Sequence, residues 1–314
     1  MCSSDLTINM SRQRASLNDM AVLYRTHHQS RLVEEALMHA GIPYIIIGGV
    51  RFYERKEIKD LLAYLRLIAN PFDRPSLLRI INTPTRGIGD KCVNMLLDEW
   101  QNEPLLNCVQ VLTKLYDDQS NSLNRPQRAG FGQLIQLLTM LPRESTPSNL
   151  VNHIITATGY RDYLRKQYEE PELTSRLENI TELQRAVEVF EQENEGSDLS
   201  VFLEQIVLMQ EKSNKDDKAT EQVSLMTLHA AKGLEFDTVI ISGLEEELFP
   251  SARAMQSSRD LEEERRLMYV GITRAKEYLL LTHSQLRATY GSVTAQLPSR
   301  FLQEVPNNLI AHHD

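Results

Sequence analysis

The chain has 314 residues, 41% hydrophobic, 25% charged and 6% aromatic, a composition that excludes a collagen, a bulk disordered chain and a small disulfide scaffold. Lys and Arg number 34 against 43 Asp and Glu, and this net −9 argues against wholesale attraction to nucleic acid while leaving room for local basic patches. The length exceeds what one core usually supports, so two domains, or one domain with a large insertion, are expected.

Met1 to Met10 show no period and no apolar face, Cys2 to Leu6 equals one reading frame of a common sequencing-library adapter, and the end is taken to run through residues 1–17. A disordered or artefactual end is expected there. From Met20 the pattern predicts a strand over Ala21 to Arg25 and a helix over Gln29 to Ala40, apolar at Leu32, Ala36, Leu37 and Ala40. A strand over Tyr44 to Ile47, closed by Gly48-Gly49, completes a βαβ unit. Between Leu105 and Gln222 strand signals vanish and amphipathic helices take over, as at Asn149 to Thr158, Arg176 to Asn194 and Leu199 to Lys212. Ser213 to Gln222 is a polar run with too little apolar surface to pack, and reads as a linker. Val223 to Leu228, Thr238 to Gly243 and Tyr278 to His283 then read as continuous apolar runs, the mark of strands buried on both faces. The expected organisation is an α/β domain formed by residues 18–104 and 223–306, split by a helical insertion over 105–222, with a tail at 307–314.

Cys2, Cys92 and Cys108 share no metal spacing and leave an odd count, so no metal site or disulfide framework is expected and a reducing, cytoplasmic setting is. The apolar runs fall well short of the roughly 20 residues of a membrane helix, and no leader pattern opens the chain, so no membrane partner is expected.

Four segments carry chemistry. Val223 to Phe236 runs a buried strand into a turn bearing His229, Lys232, Gly233 and Glu235, and ligands in open α/β sheets gather at strand carboxyl ends. Leu261 to Lys276 has helical spacing that puts Leu267, Val270, Gly271 and Arg274 on one stripe. An arginine on that stripe requires an anion, either an internal carboxylate or a bound phosphate. Tyr24-Arg25 ends the first strand, where a ring could lie on a base and a guanidinium reach a phosphate. Thr83 to Gly89 is a turn whose glycines let backbone N–H groups approach a phosphate.

In this order the segments resemble the carboxyl-terminal half of UvrD/Rep/PcrA-type superfamily 1 DNA helicases. Ala21 to Arg31 resembles motif IV, Gly48 to Arg66 the segment after it, Val223 to Phe236 motif V and Glu262 to Lys276 motif VI. Pro298-Ser-Arg-Phe-Leu302 resembles the close of the motor region. The resemblance implies a RecA-like parallel-sheet domain of the P-loop NTPase fold, the second motor domain 2A, interrupted by a mainly α-helical 2B-like insertion. It implies ATP-dependent 3'-5' movement on single-stranded DNA and duplex unwinding in repair or replication. Carried over by motif position, Tyr24 would stack on adenine, Arg25 and Arg274 would reach the γ-phosphate as arginine fingers, and Glu235 would hold the ribose hydroxyl. Thr227, His229 and Lys232 would contact the tracking strand or relay the state of the ATP site to it, and Thr85, Arg86, Gly87 and Gly89 would grip duplex backbone. The implied partners are single-stranded DNA, the single-strand/duplex junction, an amino-terminal RecA-like domain and DNA-repair proteins.

The departures bear on activity. No Gly-x-x-x-x-Gly-Lys-Ser/Thr loop occurs in the 314 residues, and the acidic Mg²⁺-holding motif is also missing. ATP and Mg²⁺ are therefore expected cofactors whose Mg²⁺ ligands lie in a missing amino-terminal half, and the fragment alone is expected to be inactive as an ATPase. Leu96-Leu97-Asp98-Glu99 imitates an acidic box but lies in a helical stretch, and His27-His28 stand where family members often carry Asn-Ala. The alternative reading is a stand-alone DNA-binding or regulatory module without ATPase activity. Three nucleotide-facing groups, Arg25, Glu235 and Arg274, argue against it.

Overall fold

A computed structural model describes residues 16–121, 123–140, 145–194, 196, 198–216, 220–289 and 292–311. The end expected over residues 1–17 falls outside the described residues up to residue 15, as does the tail beyond 311. Two compact units form, Met1–Phe52 with Val207–Asp314, and Tyr53–Ile206.

In the first unit, β1 (Met20–Tyr24), β2 (Tyr44–Ile47), β3 (Val223–Thr227), β4 (Phe236–Ile241) and β5 (Ala275–Leu281) make a parallel sheet in the order β2-β3-β1-β4-β5. The expected α/β class with a parallel sheet is present. Side chains alternate across a strand, so an all-apolar strand must be covered twice. Ala21 and Leu23 of β1 enter one core with Leu267 and Met268 of the Ser258–Ile272 helix. Met20, Val22 and Tyr24 enter the opposite core with Val33, Leu37 and Met38 of the Ser30–Ala40 helix. That second helix stops at Gly41, whose φ of 67° supplies the left-handed cap. A hairpin of β6 (Leu286–Thr289) and β7 (Ser292–Ala295) follows β5 without a sequence expectation for it.

The polar run over Ser213 to Gln222 differs from the expected linker. The Leu199–Asp216 helix continues into it, and the Asn18 side chain binds both the Thr220 carbonyl (3.2 Å) and the Gln222 N–H (2.9 Å). Asn18 thus ties the two sequence-distant parts of the unit beside β1 and β3.

The second unit is helical and begins at Tyr53 rather than at 105. Residues 53–104 pack within it because the Lys56–Ala69 helix touches the Pro147–Thr158 and Glu172–Glu193 helices. Buried carboxylates fasten these contacts. Glu57 takes hydrogen bonds from Arg176 and from Asn179 (2.5 Å), and Asp60 takes the Tyr160 hydroxyl (2.7 Å) and Arg79 (2.7 Å). Loss of strand signal at residue 105 therefore does not mark where the packing changes. Leu96 to Glu99 lie inside the Asp90–Asn102 helix, as their spacing predicts, with Glu99 paired to Lys114.

Among the described residues of the first unit, Glu247 carries backbone strain. Glu247 has φ 70° although it is not glycine. Such a conformation costs about 1–3 kcal/mol, against about 0.5–1 kcal/mol for glycine's extra freedom when unfolded. Glu247→Gly is expected to raise stability by about 1 kcal/mol, read as a higher urea midpoint; an unchanged or lower midpoint counts against the strain.

Candidate functional site

Two groups of the expected site residues assemble in the α/β unit. The first sits at the carboxyl ends of β1 and β3. The Leu228 N–H bonds the Tyr24 carbonyl (2.9 Å), which carries the strand pairing one step further and sets Arg25 beside the segment starting at Leu228. Arg25 forks onto one carboxylate. Its Nε lies 3.0 Å from both oxygens of Glu264, and its Nη2 lies 2.6 Å from Oε1. Glu264 is buried on the Ser258–Ile272 helix. His229 stands within the field of this pair. Desolvation and then the Arg25 charge push its proton affinity below the ordinary 6.5, partly opposed by Glu264, so its imidazole is neutral at neutral pH.

The second group sits at the amino ends of β4 and β5. The Phe236 N–H donates to the Arg274 carbonyl (2.9 Å), and Arg274 Nη1 donates to the Leu234 carbonyl (2.9 Å). The exposed Glu235 is held between these two links, so residues 39 apart in sequence become neighbours. Arg274 Nε also donates to the Val270 carbonyl (2.9 Å) and Nη2 to the Thr273 hydroxyl (3.0 Å). All three acceptors are neutral, and among the described residues Arg274 meets no carboxylate. Arg274 does not lie on the helical stripe expected to carry it: the helix ends at Ile272 and Arg274 lies in the following turn. Gly271 belongs where it is, since a Cβ there would crowd the Leu228 and Ile241 side chains as the helix crosses the sheet.

Strand carboxyl ends therefore hold only part of the set. Residues 228–235 run from the end of β3 to the start of β4, and the Ser258–Ile272 helix leads to β5, so both join the two groups.

Two assignments in the α/β unit, adenine stacking by Tyr24 and direct strand contact by Thr227, differ in structure from expectation. Tyr24 is 0% exposed, its ring packed in the core and edge-on to His27 at 6.1 Å, so no adenine can stack on it in this conformation. Thr227 is buried too, and its hydroxyl accepts the Ala230 N–H (3.3 Å). It shapes the turn that exposes His229 and Lys232. Gly233, at φ 88°, lets that turn reverse.

In the helical unit, the Thr83 to Gly89 turn joins the Arg74–Ile80 and Asp90–Asn102 helices. Asn82 holds it, with Oδ1 accepting the N–H groups of Arg86 (2.7 Å) and Ile88 (3.3 Å). The Arg86 guanidinium turns inward onto the Ile80 carbonyl (2.7 Å) and the Tyr64 hydroxyl, which donates in turn to the Thr83 carbonyl (2.6 Å). Burial pushes the Tyr64 phenol above its ordinary range, so it stays protonated. Arg86 is thereby a strut of the turn, while Thr85, Gly87 and Gly89 face solvent. Gly87, at φ 72°, and Gly89, at the helix start, are exposed, and among the described residues neither backbone N–H donates to a protein acceptor.

Glu264, Asn82 and Tyr64 are the residues that sequence reasoning missed. Glu264 had a signal, since it shares a stripe with Leu267, Met268 and Gly271 at i, i+3, i+4 and i+7, all of them buried. Among the described residues no group of three His, Cys, Asp or Glu side chains is placed to hold a metal, and no helix is long and apolar enough to cross a membrane.

Comparison with known proteins gives one family. The UvrD-like helicase C-terminal domain matches residues 4–285. Curated relatives include the ATP-dependent DNA helicase PcrA of Bacillus subtilis, 40% identical over 313 residues, covering 96% of this chain and 41% of the relative. PcrA of Staphylococcus aureus is 41% identical over 310 residues (96% and 41%), and that of Staphylococcus epidermidis 41% over 314 (97% and 42%). The chain thus spans about two fifths of the length of the curated relatives it matches.

Proposed function

The chain belongs to the UvrD-like helicase C-terminal domain family, and from that membership we propose that it is the carboxyl-terminal half of an ATP-dependent DNA helicase that moves 3'-5' on single-stranded DNA and opens duplex in repair or replication. In this reading the α/β unit is the second RecA-like motor domain. The observation that carries it is Arg274, a half-buried guanidinium aimed by three neutral acceptors and left without a carboxylate among the described residues. A cation so held is suited to a polyphosphate, because charge-assisted bonds to phosphoryl oxygens are roughly twice as strong as neutral ones.

In this reading ATP lies on one wall of a cleft. By motif position Arg274 and Arg25 are assigned to the γ-phosphate, approached from opposite ends of the strands, and exposed Glu235, held beside Arg274, to the ribose hydroxyl. The fingers stabilise charge on the transferring phosphoryl oxygens. Adenine stacking is assigned to no residue of this chain, given the burial of Tyr24. Mg²⁺ would counter the triphosphate charge, with its carboxylate ligands supplied by the amino-terminal domain along with the phosphate loop. On the DNA side, His229 and Lys232 meet the tracking strand from a turn that Thr227 shapes, and the Thr85 to Gly89 turn offers backbone N–H groups to duplex phosphates. Such contacts position DNA without reading its sequence and weaken as salt rises. The setting is the cytoplasm, and DNA-repair proteins are partners of the intact helicase.

The test uses two preparations. The 314-residue chain alone is expected to bind single-stranded DNA and to show no DNA-stimulated ATP hydrolysis above background, because it has no phosphate loop. The same chain joined to an amino-terminal half bearing that loop is expected to turn over ATP at about 1–100 s⁻¹ with DNA present. Hydrolysis by the chain alone, or none by the joined protein, overturns the reading.

A further inference from the structure

We propose that Glu264 is the positioning residue for Arg25, fixing the guanidinium so that its remaining edge faces the nucleotide; this rests on the helicase reading above. Glu264 is 5% exposed, and among the described residues its carboxylate bonds only Arg25. Its neighbours behave otherwise: Glu262 and Glu263 pair with Arg265 and Arg266 at the surface. A buried carboxylate is costly to desolvate, and here one cation alone offsets that cost. The fork takes Nε–H and Nη2–H, so two bonds fix the plane of the guanidinium as well as its place. Nη1 makes no hydrogen bond among the described residues and is left for an anion.

The support is a helix that already serves the other finger. Glu264 lies on Ser258–Ile272, and the turn closing that helix holds Arg274 through the Val270 carbonyl and the Thr273 hydroxyl. Arg274 is joined to the helix by the chain and Arg25 by Glu264, so one rigid element sets the spacing of the two guanidiniums. They differ in charge. Arg25 is neutralised by its partner and Arg274 is not, so Glu264 governs the alignment of Arg25 in the transition state more than the attraction of ATP.

The test has two arms. In the chain itself, the Arg25 Nε–H is expected to give a slowly exchanging ¹H–¹⁵N resonance that Glu264→Gln abolishes; its persistence in that variant overturns the pairing. In the protein joined to its amino-terminal half, Glu264→Gln is expected to lower kcat about 10- to 100-fold while KM for ATP stays within about twofold. Added to Arg25→Ala, the same change is expected to cost no further rate, because it acts through Arg25. Glu264→Asp, which keeps the charge, restores part of kcat. Wild-type turnover in folded Glu264→Gln, or an equal loss on the Arg25→Ala background, overturns the proposal. Absence of turnover in the unsubstituted joined protein strikes the helicase reading instead, and the resonance still decides whether Glu264 holds Arg25.

Discussion

Arg274→Ala, in the protein that joins this chain to its phosphate-loop half, is expected to lower ATP turnover by about 10³-fold or more while single-stranded DNA affinity changes little. The size follows from what the side chain does. Its guanidinium is aimed by the Val270 and Leu234 carbonyls and the Thr273 hydroxyl and carries a charge that no carboxylate offsets among the described residues. In a water-poor cleft such a preorganised charge acts on the transferring phosphoryl group without reorganisation. The fold tolerates the loss, since the Phe236 N–H bonds the Arg274 backbone carbonyl and that link survives in alanine. Arg274→Lys is expected to restore little, because a lysine cannot donate to three acceptors in one plane and still present an edge to phosphate. Steady-state ATPase assays with saturating single-stranded DNA, beside fluorescence anisotropy of labelled DNA, separate the two effects. Unchanged turnover would refute the finger.

Local features of the α/β unit were legible wherever a single strand or helix decides them. The apolar runs at β3 and β4 announce buried strands and the structure buries them, whereas the run at Tyr278 to His283 reads the same way but β5 is an edge strand with no fully buried position. Their neighbours were not legible. That β3 lies between β2 and β1, though some 176 residues separate it from β2, is a non-local pairing no run of residues states. Periodicity also carries past the end of a helix: Arg274 keeps the i+7 spacing from Leu267 but lies in a turn where the Thr273 hydroxyl bonds the Val270 carbonyl (2.9 Å). The helical unit's start at Tyr53 depended on Glu57 and Asp60, whose buried partners lie about a hundred residues away. In the candidate site, Arg25, Glu235 and Arg274 were named from motif position, and the structure supplies their holders. Tyr24 shows the opposite case, since an all-apolar strand signals burial of its last ring and the motif role obscured that.

Gly130→Ala is expected to destabilise the helical unit by about 1–3 kcal/mol and to weaken binding to a single-strand/duplex junction about 10-fold, with ATP binding by the α/β unit untouched. Gly130 is buried in the Arg125–Thr139 helix, and a Cβ on it would come closer than 3.0 Å to the Arg86 carbonyl oxygen. Backbone cannot swing aside as a side-chain tip can, so either the helix or the turn must shift. The turn has the weaker hold on its place, being fixed by Asn82 and by the Arg86 bonds to Ile80 and Tyr64. Displacing it misdirects the Gly87 and Gly89 N–H groups proposed to meet phosphate, and charge-assisted bonds of that kind are worth about 1.5–3 kcal/mol each. Gly132, on the same helix, is the control. Its added Cβ would meet the Tyr116 ring at 3.1 Å, a side chain that can give way, so Gly132→Ala is expected to leave junction binding near the wild-type value. Thermal unfolding of both variants, with junction affinity measured across salt, makes the comparison; a Gly130→Ala protein that binds junction DNA as tightly as Gly132→Ala removes the turn from the duplex contact.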